Sequence, residues 1–420
     1  MTTLRYLKIY RHCGKNEIIT LTLFLSHQGR GNTTFMNLLY IANIRIPTEK
    51  AHGYQIFKMC EAFANAGLSV KLITPTRRNP NFKSIGPFEH YHSQKNFTLM
   101  QLKTFDPHWL IKLPNGIYIK FQIFFFLLML VPFLLKHPKT NTVVYTRDAY
   151  LLPILQKFFK KVVWEGHSLP GRKDLYLKYY KLCHHIIVVT GELKRQLVKM
   201  GVGEDKILVA HDGVDLATFA VDISQAQARQ ELKLPADKII LGYTGSYRTK
   251  NMDKGIADIL KALKILIPNI PNIQFVAVGG DIRDISFYQD VVSQIQVGNH
   301  VTLLPRVGQD KLAQYQQAFD ILMMPFPDTT HFRHYMSPMK MFEYMAAKRP
   351  IVATTLPSTL EVLNDSNALL VSPDNSEELA EGLQKLIKDK QLRNKLAQKA
   401  FEDVQEYTWA KRAASIKAVL

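Results

Sequence analysis

The chain has 420 residues, 47% of them apolar, enough for two or three domains with sizeable cores; two is the expectation. A formal net charge of +19 calls for a partner of negative potential: nucleic acid, an anionic bilayer surface or a phosphate-bearing substrate. Cys13, Cys60 and Cys183 lie too far apart for a disulfide framework or a Cys-x-x-Cys site, which suits a reducing cytosol, and no RNA-module or helix-turn-helix signature speaks for nucleic acid.

Residues 1–35 fit nothing that follows them. Ile18 to Leu25 is too short to span a bilayer and no small-residue cleavage site completes a signal peptide, whereas Met36 opens a good domain start. Residues 1–35 are therefore expected to form an upstream extension outside the fold. From Met36 onward Leu38 to Ala42 reads as a strand, Tyr54 to Ala66 as a helix stopped by Gly67, and Val70 to Thr74 as the next strand. Ile56, Cys60, Phe63 and Gly67 recur at helical spacing, so this is a βαβ unit. Phe121 to Leu135 is nearly all apolar and short for a bilayer span, which needs about 20 residues. It reads first as a buried core helix, then as in-plane membrane contact beside Lys112, Lys120, Lys136 and Lys139, and last as a spanning helix. Further strands are predicted at Val143 to Tyr145, Lys161 to Glu165, Ile186 to Thr190 and Ile207 to Ala210.

The polar stretch Asp222 to Asp237 connects to a second series at Ile239 to Tyr243, Gln274 to Val278, Val301 to Leu304, Ile321 to Pro325, Ile351 to Thr354 and Ala368 to Val371. Two successive series predict an α/β protein with two doubly wound domains, over 36–220 and 221–400, facing each other across a cleft. A C-terminal helix over 401–420, anchored by Trp409, can pack back toward the first domain.

Candidate chemistry collects at strand ends. Ser337 is a good N-cap and Pro338 suits the first helical position, so the N–H groups of Met339, Lys340 and Met341 are expected to lack intrahelical partners. The helix dipole favours an anion there, Lys340 adds a mobile cation, and Glu343 one turn on can accept two vicinal hydroxyls: a seat for phosphate plus ribose. Asn43 to Gly53 runs from strand into helix and should overhang the cleft, with Gly53 allowing a substrate close to the helix start. It is not a Gly-x-Gly-x-x-Gly fingerprint, which leaves a nicotinamide or flavin cofactor without its best support. Trp164-Glu165-Gly-His167 places a histidine and a carboxylate at another strand end, where His167 can donate to a hydroxyl or phosphate. Gly242-Tyr-Thr-Gly245-Ser-Tyr-Arg248-Thr-Lys250, with Lys254-Gly255 after it, combines close backbone approach with cations for a diphosphate, without Walker spacing.

In combination these residues resemble the retaining glycosyltransferases of GT-B fold, in particular glycosyltransferase family 4. The resemblance runs from Met36 to the C-terminus through Lys50-Ala-His-Gly53, Glu165-x-His167, Thr190-Gly-Glu-Leu193, His211-Asp-Gly-Val-Asp215, Gly245 through Lys254-Gly255, Ser337 through Glu343 and Thr408-Trp409. It implies a nucleotide-sugar donor in the second domain and a glycan or lipid-linked acceptor in the first. Arg248 and Lys254 would offset the diphosphate charge, with Gly245 beside it. Met339, Lys340 and Met341 would hold phosphate oxygens, and Glu343 would hold ribose. His167 would complete the sugar site, with His52, Glu165 and Arg147 on the acceptor or sugar side. No cofactor is implied, and with no Asp-x-Asp and no metal-ligand cluster, metal independence is expected. The implied setting is the cytoplasm, at the inner face of an anionic membrane. A nucleotide-sugar epimerase or a phosphorylase of the same fold, or a nonenzymatic basic cleft protein, are the alternatives. Three positions depart from the family pattern. Tyr335 stands where a paired glutamate is usual, Asp212 where asparagine is common, and Lys348 where a glycine is usual, so Lys348 is expected at positive φ. The long spacing from Gly245 to Lys254 leaves Arg248 and Lys250 competing for one role.

Overall fold

The computed structural model describes residues 36–420 except 78, 83, 107–114, 172 and 250. The expected extension over residues 1–35 lies outside the described residues, as do Lys112 and Lys250. Among the described residues, the first domain is a parallel sheet of β1 (Asn37–Ile41), β2 (Ser69–Pro75), β3 (Thr98–Leu102), β4 (Thr142–Thr146), β5 (Val162–Gly166), β6 (His185–Val188) and β7 (Ile207–Val209), in the order β3-β2-β1-β4-β5-β6-β7. β1 and β4 are buried on both faces because helices cover both, as their continuous apolar runs require. β3 escaped the sequence pattern since it is a mostly exposed edge strand with polar residues in it.

The second domain contains β8 (Ile239–Thr244), the antiparallel hairpin β9 (Arg248–Thr249) and β10 (Met252–Asp253), then β11 (Ile273–Gly280), β12 (Val301–Pro305), β13 (Ile321–Met324), β14 (Ile351–Thr354) and β15 (Leu369–Val371). Its parallel sheet runs β12-β11-β8-β13-β14-β15. In each sheet the winding reverses beside the first strand, between β1 and β4 and between β8 and β13, and open α/β sheets bind ligands at the carboxyl side of such a reversal.

Two sequence readings change. Asp222 to Asp237 is not a bare connection: Gln225–Leu232 is a helix, opened by a capping box between Ser224 and Gln227 and closed by Lys233 at φ +55°. Only Ala228 and Arg229 of it are buried, too few apolar positions to register as periodicity. Arg229 docks it by donating to Ala318 O at 2.9 Å and pairing with Asp320 at 2.6 Å. The apolar run belongs to the 22-residue helix Asn115–Lys136, and it is not a buried core helix. Phe126, Leu130 and Leu134 alone among its described side chains are buried.

At the C-terminus Thr408 bridges to Val214, and the helix Trp409–Lys417 packs on the first-domain helix Ala51–Asn65. Trp409, Ala413 and Ile416 thereby join the first domain's core.

Candidate active site

β8 ends at Thr244 and the chain turns at Gly245 with φ +107°, a region that side chains rarely adopt. A Cβ at Gly245 would stand 3.2 Å from Lys340 Nζ, so the turn and the lysine share one confined space. Lys340 is buried, its Nζ has no hydrogen-bond partner, and it lies 3.5 Å from the centroid of the Tyr243 ring. Burial, reinforced by Lys254, holds this amine well below the ordinary lysine range. Lys340 is thus an amine fixed by packing and not the mobile cation expected from its position. Lys254 is held by its Nζ donating to Ser246 Oγ at 2.8 Å; burial and the neighbouring Arg306 bring its pKa down to about 8. An anion between these two lysines would reverse both shifts, since each arises from burial and like charge.

The helix Met339–Ala346 starts beside them. Its cap is Pro338 rather than Ser337, whose hydroxyl instead accepts from Asp212 N at 2.9 Å. Met341 N–H is also occupied, donating to Pro338 O at 2.9 Å, which leaves Met339 and Lys340 as the unpaired amides of this first turn. Glu343 is buried one turn further, where burial pushes its carboxyl up to about 7. Gln316 donates to Glu343 Oε2 at 3.4 Å and to Thr244 Oγ1 at 3.1 Å, and its own Oε1 is buried without a partner. Gln316 was not legible from the sequence, because it comes from a separate helix, Gln309–Ala318, with no motif around it.

Arg248 does not join the lysines' immediate surroundings as expected. Carried on the β9–β10 hairpin, it donates to Asn251 O at 3.0 Å and stacks 4.9 Å over Phe287. The cation beside Lys254 is Arg306, at the end of β12, whose Nη1 reaches Glu49 O of the first-domain loop at 3.4 Å. Spacing gave no sign of it, since a strand-end arginine after Pro305 has no local signature.

On the facing side Glu165 is fully buried at the end of β5. It accepts from Gln55 Nε2 at 2.7 Å, Tyr145 Oη at 2.5 Å and Arg412 Nη2 at 3.0 Å, with His167 Nε2 at 2.6 Å. Burial alone would raise this carboxyl; Arg412, His167 and Arg147 outweigh it and hold it well below the usual carboxylate range. Arg147 donates to Gln55 Oε1 at 2.6 Å, and burial, Arg147 and Lys50 bring His52 down to about 4. His52, Arg147, Glu165 and His167 therefore form one cluster. Asp212 joins it with Oδ1 buried and unpartnered, and Glu165, His167 and Asp212 bring a donor atom each to within 4.8 Å of one another. That trio corrects the expectation that no metal-ligand cluster exists, although Arg412 already lies on the Glu165 oxygen. Gly53 differs from its expected role: it lies inside the helix Ala51–Asn65, and the room for a Cβ is taken by the Tyr91 hydroxyl and the Thr48 methyl.

The halves are joined across the crevice. Tyr335 Oη donates to Gln196 Oε1 at 2.7 Å, Thr190 Oγ1 donates to His334 O at 2.7 Å, and Gly191 N–H donates to the Glu361 carboxylate at 2.8 Å. Tyr335 is therefore an interdomain contact at the position where the family pattern has its first glutamate.

Two doubly wound domains with a cationic crevice at their switch points define the GT-B class. Residues 53–218 match the family model for Glycosyltransferase Family 4 and residues 238–389 that for Glycosyl transferases group 1, so the chain belongs to this glycosyltransferase family. It is 24% identical over 242 residues to an uncharacterized glycosyltransferase of Methanocaldococcus jannaschii, covering 56% of this chain and 58% of that protein. It is 27% identical over 216 residues to a D-inositol 3-phosphate glycosyltransferase of Stackebrandtia nassauensis, covering 50% and 47% respectively. The chain spans about half the length of the curated relatives it matches. Among solved structures, sucrose-phosphate synthase from Thermosynechococcus elongatus superposes with TM-score 0.72 at 20% identity, covering 91% of this chain and 98% of that one, a likeness of fold.

Proposed function

We propose that the protein transfers a sugar from a nucleotide diphosphate sugar, with retention, to a glycan or lipid-linked acceptor in cell-surface polysaccharide or glycolipid synthesis. The observation that carries this reading is Lys340: a buried amine without a partner, beside a positive-φ glycine, two unpaired helix amides and a second, partly buried lysine. Leaving such a group uncompensated is costly, and a diphosphate supplies the missing charge and acceptors. Glu343 and Gln316 stand where ribose hydroxyls can be held. In the proposed step the bond between the anomeric carbon and the diphosphate oxygen breaks and the acceptor oxygen bonds the same carbon on the same face. The departing phosphate takes the acceptor's proton. Lys254 and Lys340 stabilise the charge that develops on the leaving diphosphate, in place of a divalent metal. The His52, Arg147, Glu165 and His167 cluster faces the sugar and acceptor. We assign the reaction to the cytoplasm, a reading supported by Cys60 and Cys183, both free and buried, which suit a reducing compartment.

Glu343→Ala and Lys254→Ala are each expected to lower turnover by orders of magnitude with the fold intact, read as release of nucleoside diphosphate from a panel of donors with membrane extract as acceptor source. Near-full activity in both rejects the assignment. An isomerised donor without acceptor dependence would mark an epimerase instead, and turnover that survives chelation supports the metal-independent step.

A further inference from the structure

We propose that the helix Asn115–Lys136 is an in-plane docking surface for an anionic lipid bilayer. This helix carries two faces of the same apolar character. One is the ladder Phe126, Leu130 and Leu134, buried against the seven-stranded sheet with Leu152, Leu155 and Val144. The other holds Ile117, Phe121, Phe124, Leu128 and Leu135, all exposed, with Phe124 at 58% and Leu135 at 64%. Steps of three, four or seven residues place these five on one side of an α-helix, and the stripe from Ile117 to Leu135 runs about 27 Å along it. A continuous apolar stripe of this kind marks a contact surface rather than ordinary scatter. Only 17% of the helix's most apolar window is buried.

Charge selects the occupant. The helix contains no acidic residue, Lys120 and Lys136 are exposed in its second and last turns, and Lys139 is exposed just beyond its end. A long apolar stripe rimmed by exposed lysines complements acyl chains below a negative headgroup layer. The buried ladder rules out a spanning orientation, because crossing the bilayer would strip Phe126, Leu130 and Leu134 from the sheet. The helix is also tied to the crevice. Arg77 Nη2 donates to Gln122 O at 3.2 Å and to Asn43 Oδ1 at 2.5 Å, at the start of the cleft loop. Asp106 accepts from Tyr118 Oη at 2.8 Å and lies 4.0 Å from Arg45 of that same loop. A docked helix therefore holds the acceptor side of the crevice next to the bilayer; that consequence rests on the transferase reading, whereas the surface itself does not.

The test uses the full chain and no donor, so its failure is separate from any failure of catalysis. Flotation with vesicles of phosphatidylcholine containing about one third phosphatidylserine should recover the protein, with much weaker recovery on phosphatidylcholine alone. Phe124→Glu/Leu128→Glu, at two exposed positions, should lower recovery about tenfold or more with unchanged circular dichroism. A Phe124→Trp probe in the otherwise intact chain should be quenched by bromines near the headgroups, about 5–10 Å into the interface, and not by bromines at the bilayer centre. Wild-type recovery by the double glutamate variant overturns the proposal, as does quenching at the centre with resistance to alkaline extraction, the behaviour of a spanning helix. A lipid-free dimer that the double variant dissociates, without vesicle binding by the wild type, also overturns it, making the occupant a second copy. Equal recovery on neutral vesicles overturns the anionic assignment.

Discussion

Arg412 Nη2 lies 3.0 Å from Glu165 Oε1, joining two side chains 247 positions apart, both all but inaccessible. The same guanidinium donates through Nε to His211 O at 2.8 Å. The last helix thus supplies the counter-charge for a carboxylate that orients His167, which explains why the closing Thr408-Trp409 segment returns to the first domain. Arg412→Ala is expected to destabilise the protein by about 3–5 kcal/mol, because it strands a buried carboxylate. Arg412→Lys should recover less than half of that, since an ammonium cannot reach both acceptors as a fork does. Urea unfolding measures both, and a loss no larger than that of a surface substitution would show that the pair does not hold the helix in place.

The raised carboxyl of Glu343 makes stability depend on pH. Its folded value of about 7 lies above an unfolded value of about 4.3, so the folded state binds the proton more tightly. The stability it contributes is full below the unfolded value and is lost as the pH rises through about 7, a change on the order of 4 kcal/mol at most. Lys254 acts with opposite sign: its contribution is full above the unfolded lysine value and is lost as pH falls through about 8. Glu343→Gln should therefore flatten the decline in the free energy of unfolding of the ligand-free protein between about pH 5 and pH 7. A decline of unchanged size in the variant would assign it to another group.

Much of this site was legible because strand ends announce themselves. Alternating strands and helices gave both sheets, and the glycine and lysine around Gly245 and Lys340 stood at strand and helix ends, where motifs are read. What escaped depends on tertiary geometry. Arg306 and Gln316 come from elements that contain no local motif. Arg412 finds Glu165 only once the last helix has folded back. Ser337 looked like a cap, but the interdomain segment takes its hydroxyl at Asp212 N. The helix Asn115–Lys136 was misread because an apolar run does not say which of its faces meets protein. Lys348, by contrast, was foreseen at positive φ and is found at +53°.

That left-handed Lys348 gives a stability prediction. A side chain in this region costs roughly 1–2 kcal/mol relative to glycine. The Lys348 ammonium recovers a little of it, lying 5.4 Å from the centroid of the Phe401 ring. Lys348→Gly should raise stability by about 0.5–1 kcal/mol, and Lys348→Ala, which keeps the strain and loses the ring contact, should lower it. Thermal and urea unfolding of the two variants in parallel check the ordering, and a stabilising alanine would refute it.

Gly53 offers the sharpest separation between packing and binding. A Cβ there would meet the Tyr91 hydroxyl and stand 2.6 Å from Thr48 Cγ2, while Tyr91 Oη accepts from Thr48 N at 2.7 Å and so has little room to retreat. Overpacking of this kind costs about 1–3 kcal/mol. Gly53→Ala should therefore lower the midpoint of urea unfolding by an amount in that range and leave the donor-induced thermal shift nearly unchanged. A ligand at 100 times its dissociation constant adds about 2.7 kcal/mol, so the shift is large enough to compare between variant and wild type. Were Gly53→Ala instead as stable as the wild type and blind to the donor, the glycine would belong to the ligand's path, as its place in the Asn43 to Gly53 loop first suggested.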